Sequence, residues 1–128
     1  MRLLLDTHTL LWFLREPHLL SPRLLNIITS EETEAYVSIA SLWEIAIKTS
    51  LNKLSLPKPY EELFPQAVTD SGLQLLPIRP AHIAGICQLP HHHRDPFDRL
   101  LIAQAMAENM TLASCDSHFA DYGVPLIW

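Results

Sequence analysis

Four acids in this 128-residue chain stand where solvation alone explains them poorly. Asp6 closes the apolar run at 3–5, and Asp116 follows the segment 111–114. Glu44 lies inside the stretch IASLWEIAIK, and Asp98 ends the tetrapeptide DPFD that opens another apolar run. If the four converge, their charges repel, and some stay protonated unless a cation is present. Oxygen ligands alone select hard cations, Mg²⁺ or Mn²⁺, over zinc. Such a cluster suits metal-assisted phosphodiester hydrolysis, in which an ion activates water and steadies the leaving oxygen.

Each acid also has a local reading. An aspartate after a strand often caps the next helix, which covers Asp6 and Asp116 taken singly. Glu44 and Lys48 are spaced i, i+4 and can pair on a helix surface for about 0.3–0.5 kcal/mol. Asp95-Pro96-Phe97-Asp98 reads as N-cap, proline at the first helical position, and an acid in the first turn. That accounts for Asp95, whereas Asp98 gains only a modest dipole benefit and is free for a second role.

The elements that must position these acids alternate. Residues 2–5 form a short buried strand, 8–14 a helix, and Ser21-Pro22 caps a helix reaching about residue 31. Residues 35–38 form a second strand and 39–51 a helix bearing Glu44. Residues 60–70 form one helix after the break at Pro57 and Pro59, closed by Gly72. Strand 73–78, helix 80–89, loop 90–96, helix 97–108 and strands 111–114 and 124–127 complete the chain. Alternation of strands and helices predicts a parallel sheet with helices on both faces. Uniformly apolar strands agree, because they are buried on both sides. In such a sheet ligands bind beyond the carboxyl ends of the strands, where Asp6 and Asp116 both fall.

Composition narrows the function. The length fits one domain, spanning 1–128. The net charge of −5 excludes a protein that holds nucleic acid by a bulk positive field. Three glycines and no glycine-rich loop exclude the nucleotide-binding fingerprints. Cys87 and Cys115 make neither a disulfide framework nor a zinc knuckle and fit a reducing compartment. No apolar run nears the roughly 20 residues of a membrane helix, so a cytoplasmic protein is expected.

The segments LLLDTHTLLW, SIASLWEIAIK, HHHRDPFDRLLIAQAMAE and TLASCDSHF closely resemble the PIN domain, specifically the VapC-type toxins of bacterial type II toxin–antitoxin pairs. The resemblance implies a three-layer α/β/α fold around a central, mostly parallel five-stranded sheet. It also implies a Mg²⁺- or Mn²⁺-dependent endoribonuclease neutralised by a cognate antitoxin, and a homodimer. By position, the family's acidic quartet of catalytic and metal-binding residues falls on Asp6, Glu44, Asp98 and Asp116. Asp6 and Asp98 match the closest metal ligands. Ser114 stands where many relatives have threonine, which keeps the hydroxyl.

Lesser candidates surround the quartet. Thr7 and Ser41 could bond a carboxylate or a metal-bound water, or could be local caps. Arg94, Arg99 and Lys48 could contact RNA phosphates, or be solvated. His91, His92 and His93 could bind a transition metal or touch RNA, or form a solvated loop. Cys115 with His118 suggests a thiol–imidazole pair, but no third group orients it. Trp12 and Trp43 read as core or dimer surface. Two other functions stay open: a degenerate PIN-type interaction module without catalysis, and an aspartyl-phosphate phosphatase-like enzyme using Asp6. His8 stands where such a phosphatase places its second acid. Two bound divalent ions would move the net charge from −5 to −1, so part of the acidity is expected to belong to a metal site.

Overall fold

Leu3, Leu4 and Leu5 are all fully buried, which only a strand covered on both faces allows. They belong to β1 (Arg2–Leu5), the central strand of a five-stranded sheet. The computed structural model describes residues 1–128. β1 pairs on one side with β2 (Glu34–Ser38) and on the other with β4 (Thr111–Ala113). β3 (Gln74–Leu76) and β5 (Leu126–Ile127) lie at the edges, giving the order β3-β2-β1-β4-β5. All four pairings are parallel.

Side chains alternate across a strand, so the sheet divides the core in two. Leu3 and Leu5 face one layer, with Leu10 of α1 (Thr7–Arg15), Leu24 and Ile28 of α2 (Pro22–Thr29) and Ile45 of α3 (Ile39–Ser50). Leu4 and Leu112 face the other, with Leu101 and Ile102 of the later helix 96–107. The three-layer α/β/α fold expected from the sequence is therefore present, with its sheet wholly parallel.

Helix starts follow the local chemistry. Ser21 accepts the Leu24 N–H with Pro22 at the first helical position, and Ser38 accepts the Ala40 N–H at the head of α3. The expected helix over 60–70 is two: α4 (Tyr60–Leu63) and α5 (Gln66–Asp70). Pro65 has no N–H to donate and forces Phe64 into extended backbone (φ −114, ψ 143), so the helix cannot continue. Gly72 follows α5 at φ +80, the left-handed position that a side chain resists. α6 (Pro80–Ile86) and α7 (Pro96–Ala107) cover the second face. Short 3₁₀ segments at Pro17–Leu19 and Ser117–Tyr122 were not anticipated. No helix is long and apolar enough to cross a membrane.

The order places β1 beside β4 where the connections reverse direction, and the crevice there opens beyond their carboxyl ends.

Candidate active site

Asp6 and Asp116 leave adjacent strands and are joined through one hydroxyl. The buried Ser114 Oγ donates to Asp6 Oδ2 and accepts the Asp116 N–H at 3.0 Å. Both aspartates also cap helices: Asp6 Oδ1 accepts the Thr9 N–H at 2.8 Å, and Asp116 Oδ1 accepts the His118 N–H at 2.9 Å. Capping uses one oxygen of each carboxylate. For Asp6 the other oxygen is the one that Ser114 orients.

α3 carries Glu44 into the same crevice. Its side chain is nearly buried, and both oxygens are held. Thr7 Oγ1 donates to Oε1 at 2.7 Å and lies 3.0 Å from Ser41 Oγ, while Lys48 Nζ is 2.6 Å from Oε2. The helix-surface pair and the cleft-facing carboxylate are thus the same arrangement. Burial leaves Glu44 facing the crevice, and the longer Lys48 reaches back to it from the rim.

The N-terminus of α7 supplies the rest. Asp95 is its cap, with Oδ1 accepting the N–H groups of Phe97 and Asp98 at 2.8 and 3.2 Å. Asp98 is therefore not the cap, and its carboxylate points inward. Asp6, Glu44, Asp95, Asp98 and Asp116 line one pocket of about 100 Å³, with Thr7, His8, Lys48 and Cys115.

The electrostatics follow from that crowding. Burial, then the charges of Asp95, Glu44, Asp6 and Asp116, push Asp98 from 3.8 up to about 7. Burial also works to raise Asp116, but the backbone N–H and ring of His118, with His93 beyond, outweigh it and hold Asp116 below the usual range. The hydrogen bond to Glu44 raises Lys48 despite its partial burial. Five carboxylates face one lysine, and the donor set is all oxygen, which fits a hard divalent cation.

A family model described as the PIN domain matches residues 3–125. The chain belongs to the PIN domain family. PIN domains are generally nucleases that use divalent metals. Solved structures with the same fold include VapBC2 from Rickettsia felis bound to a DNA fragment from their promoter, at 17% identity and TM-score 0.75, covering 99% of this chain and 98% of that one. FitAcB from Neisseria gonorrhoeae matches at 20% identity and TM-score 0.72, over 98% and 96%. FitAB bound to the IR36 DNA fragment matches at 20% and 0.66, over 98% and 93%. No curated protein matches the chain in sequence.

Within this PIN domain, the four acids singled out from sequence meet, as do Thr7, Ser41, Ser114 and Lys48. Arg94 is exposed. Arg99 departs from the expected phosphate contact: it is 8% exposed and its guanidinium is committed to acceptors of the chain itself. Its guanidinium donates to the carbonyls of Pro90, Ile86 and Leu89 and to the Tyr122 hydroxyl, tying down the chain before α7. One position past Asp98 on α7, it points away from the crevice. The thiol–imidazole pair of Cys115 and His118 does not form: burial and the charges of Asp6 and Asp116 raise the thiol, and the His118 ring bonds Asp116 instead. Trp43 is 58% exposed, edge-on to Phe97 at 5.1 Å, so it is surface rather than core. Trp12 is half-buried against Trp128.

Two residues that the sequence offers only in other roles, His93 within the histidine run and His118 as a partner of Cys115, also reach the site. His93 Nε2 lies 3.1 Å from Asp98 Oδ2 and 3.7 Å from Asp116 Oδ2, and His118 Nδ1 lies 2.8 Å from Asp116 Oδ1. Spacing gave no signal for His93, which sits in an irregular loop. His118, two residues past Asp116, could have been found from the short 3₁₀ turn that an aspartate cap favours.

Proposed function

We propose that this PIN domain, the single domain of the chain, is a Mg²⁺- or Mn²⁺-dependent endoribonuclease of the VapC type, held inactive by a cognate antitoxin in the cytoplasm. The observation that carries this is the meeting of Asp6, Glu44, Asp98 and Asp116 in one pocket, with Asp98 pushed to about 7 by burial and by the neighbouring carboxylates.

Asp6 and Asp98 are the chief ligands of the cation, with Glu44 and Asp116 completing the set. When bound, the ion supplies a Lewis acid at the phosphoryl oxygen and a water of lowered pKa. Ser114 fixes the Asp6 carboxylate, and Thr7 with Ser41 fixes Glu44. Such outer partners set ligand orientation and basicity. Lys48 stands at the rim to receive phosphate, and Arg94 is exposed in the loop before α7 as a further phosphate contact. This answers the acidity: RNA is met locally, not by a basic surface.

An acidic cleft also attracts a basic partner, which supports an arginine- or lysine-bearing antitoxin segment as its inhibitor. Ile39 and Trp43, four residues apart on α3 and both exposed, give apolar surface for a homodimer. The fold shared with VapBC2 supports the antitoxin partner.

The test is RNA cleavage by the purified chain, freed of any partner. Cleavage is expected with Mg²⁺ or Mn²⁺ and is expected to stop with EDTA. Robust cleavage in EDTA would overturn the metal reading, and no cleavage with either ion would overturn the nuclease reading.

A further inference from the structure

The wall of the pocket formed by the histidine loop and the 3₁₀ turn has donors that the carboxylate quartet does not use. His93, Asp116 and His118 each offer a ligand atom, and these atoms lie within 4.8 Å of one another. We propose that they form a second cation site, with two imidazoles and one carboxylate, that prefers a borderline divalent ion (Zn²⁺, Co²⁺ or Ni²⁺) over Mg²⁺. It shares Asp116 with the quartet but does not need the quartet to be a nuclease centre.

Three observations carry the proposal. First, Asp116 spreads its two oxygens between the rings, Oδ1 at 2.8 Å from His118 Nδ1 and Oδ2 at 3.7 Å from His93 Nε2. Second, His93 Nε2 is buried without a hydrogen-bond partner; its 3.1 Å approach to Asp98 Oδ2 lacks hydrogen-bond alignment. A buried polar atom left unpaired is costly, and an ion seated among these groups would satisfy it. Third, the backbone that carries that ring is anchored from outside the site. The His93 N–H donates to Tyr122 Oη at 2.7 Å, and Arg99 reaches the same hydroxyl at 3.3 Å.

The donor set decides the ion. Imidazole nitrogen suits zinc, cobalt and nickel, whereas Mg²⁺ demands oxygen ligands and sheds water reluctantly. Coordination needs the lone pair of His93 Nε2, so the ring proton moves to Nδ1 and the 3.2 Å bond from the Asp95 N–H is given up. His118 is exposed and binds through Nδ1 with its proton on Nε2. His91 and His92 are exposed and outside the site, so the length of the histidine run is not what makes it.

The experiment titrates the intact chain with Co²⁺, read by visible absorption, and with Zn²⁺ and Mg²⁺, read by calorimetry. Zn²⁺ and Co²⁺ are expected to bind at one equivalent more tightly than Mg²⁺. His93→Gln and His118→Ala should each weaken Co²⁺ by more than about tenfold, since even outer partners of a metal cost about 10–100-fold when removed. Both residues touch the quartet's Asp116, so some Mg²⁺ affinity should be lost as well, but less than the Co²⁺ affinity, and Asp6→Asn should do the reverse. The paired variant His91→Ala, His92→Ala should keep Co²⁺ binding. Unchanged Co²⁺ affinity in the His93 and His118 variants, or loss only in the His91 and His92 pair, overturns the proposal. Failure of the nuclease reading would show separately, as absence of RNA cleavage in Mg²⁺.

Discussion

Lys48 Nζ stands 2.6 Å from Glu44 Oε2, one helical turn along α3, and it is the sole lysine or arginine lining a pocket of five carboxylates. A surface pair at this spacing is worth little. Here one partner is nearly buried, so removing the lysine strands a charge.

Lys48→Ala is therefore expected to destabilise the metal-free protein by about 1–2 kcal/mol, between the surface and buried cases because Lys48 is itself 40% exposed. Mg²⁺ should restore most of the loss, since the cation takes over the role of the ammonium. Urea melts with and without the ion decide this, and a loss that Mg²⁺ leaves untouched speaks against a shared cation site.

Asp98 gives a pH signature. Its pKa is about 7 in the folded chain and near 3.8 when exposed, so the folded state resists its ionisation. The associated stability is whole below about pH 4 and drains away as pH rises through 7. Asp98→Asn removes that drain. In thermal melts without divalent ions, the variant should match the native chain near pH 4 and exceed it above pH 7. A difference that stays flat with pH would mean that Asp98 carries no such strain.

Ser114→Ala removes the hydroxyl between Asp6 and the Asp116 N–H. Mg²⁺ affinity should fall about 10–100-fold, as for other outer partners of metal ligands. Calorimetry reads it directly, and an unchanged affinity would assign Ser114 to packing alone.

Arg99→Ala should cost roughly 2–4 kcal/mol, because three carbonyls and the Tyr122 hydroxyl lose a charged donor. Arg99→Lys should not rescue it, since an ammonium cannot reproduce the planar fork. Denaturant midpoints measure the loss. If instead stability holds and RNA binding alone weakens, Arg99 acts on phosphate.

Particular residues show what could be read from sequence and why. The buried run at 3–5, the caps Ser21 and Ser38, and the DPFD tetrapeptide are local signals, and each element they announce is present. The acids could be singled out because a carboxylate is conspicuous in an apolar setting. That β1 neighbours β4, which brings Asp6 to Asp116, is a long-range pairing with no local mark. The orientation of Arg99 was illegible for the same reason: its partners are carbonyls from a loop, and no spacing rule reaches them. His93 enters the site by the path of an irregular segment. Pro65 was legible and breaks the 60–70 helix by steric rules that the apolar pattern masks.

The most direct measurement is the chemistry of the cut ends when the purified chain acts on a labelled RNA in Mg²⁺. Attack by water leaves linear monophosphate ends, whereas attack by the RNA's own 2′-hydroxyl, which a pair of histidines could promote without metal, leaves 2′,3′-cyclic phosphates. The carboxylate-held cation predicts linear ends, formed only with the divalent ion and lost in Asp98→Asn. Cyclic phosphates that persist in EDTA and in Asp98→Asn would contradict it.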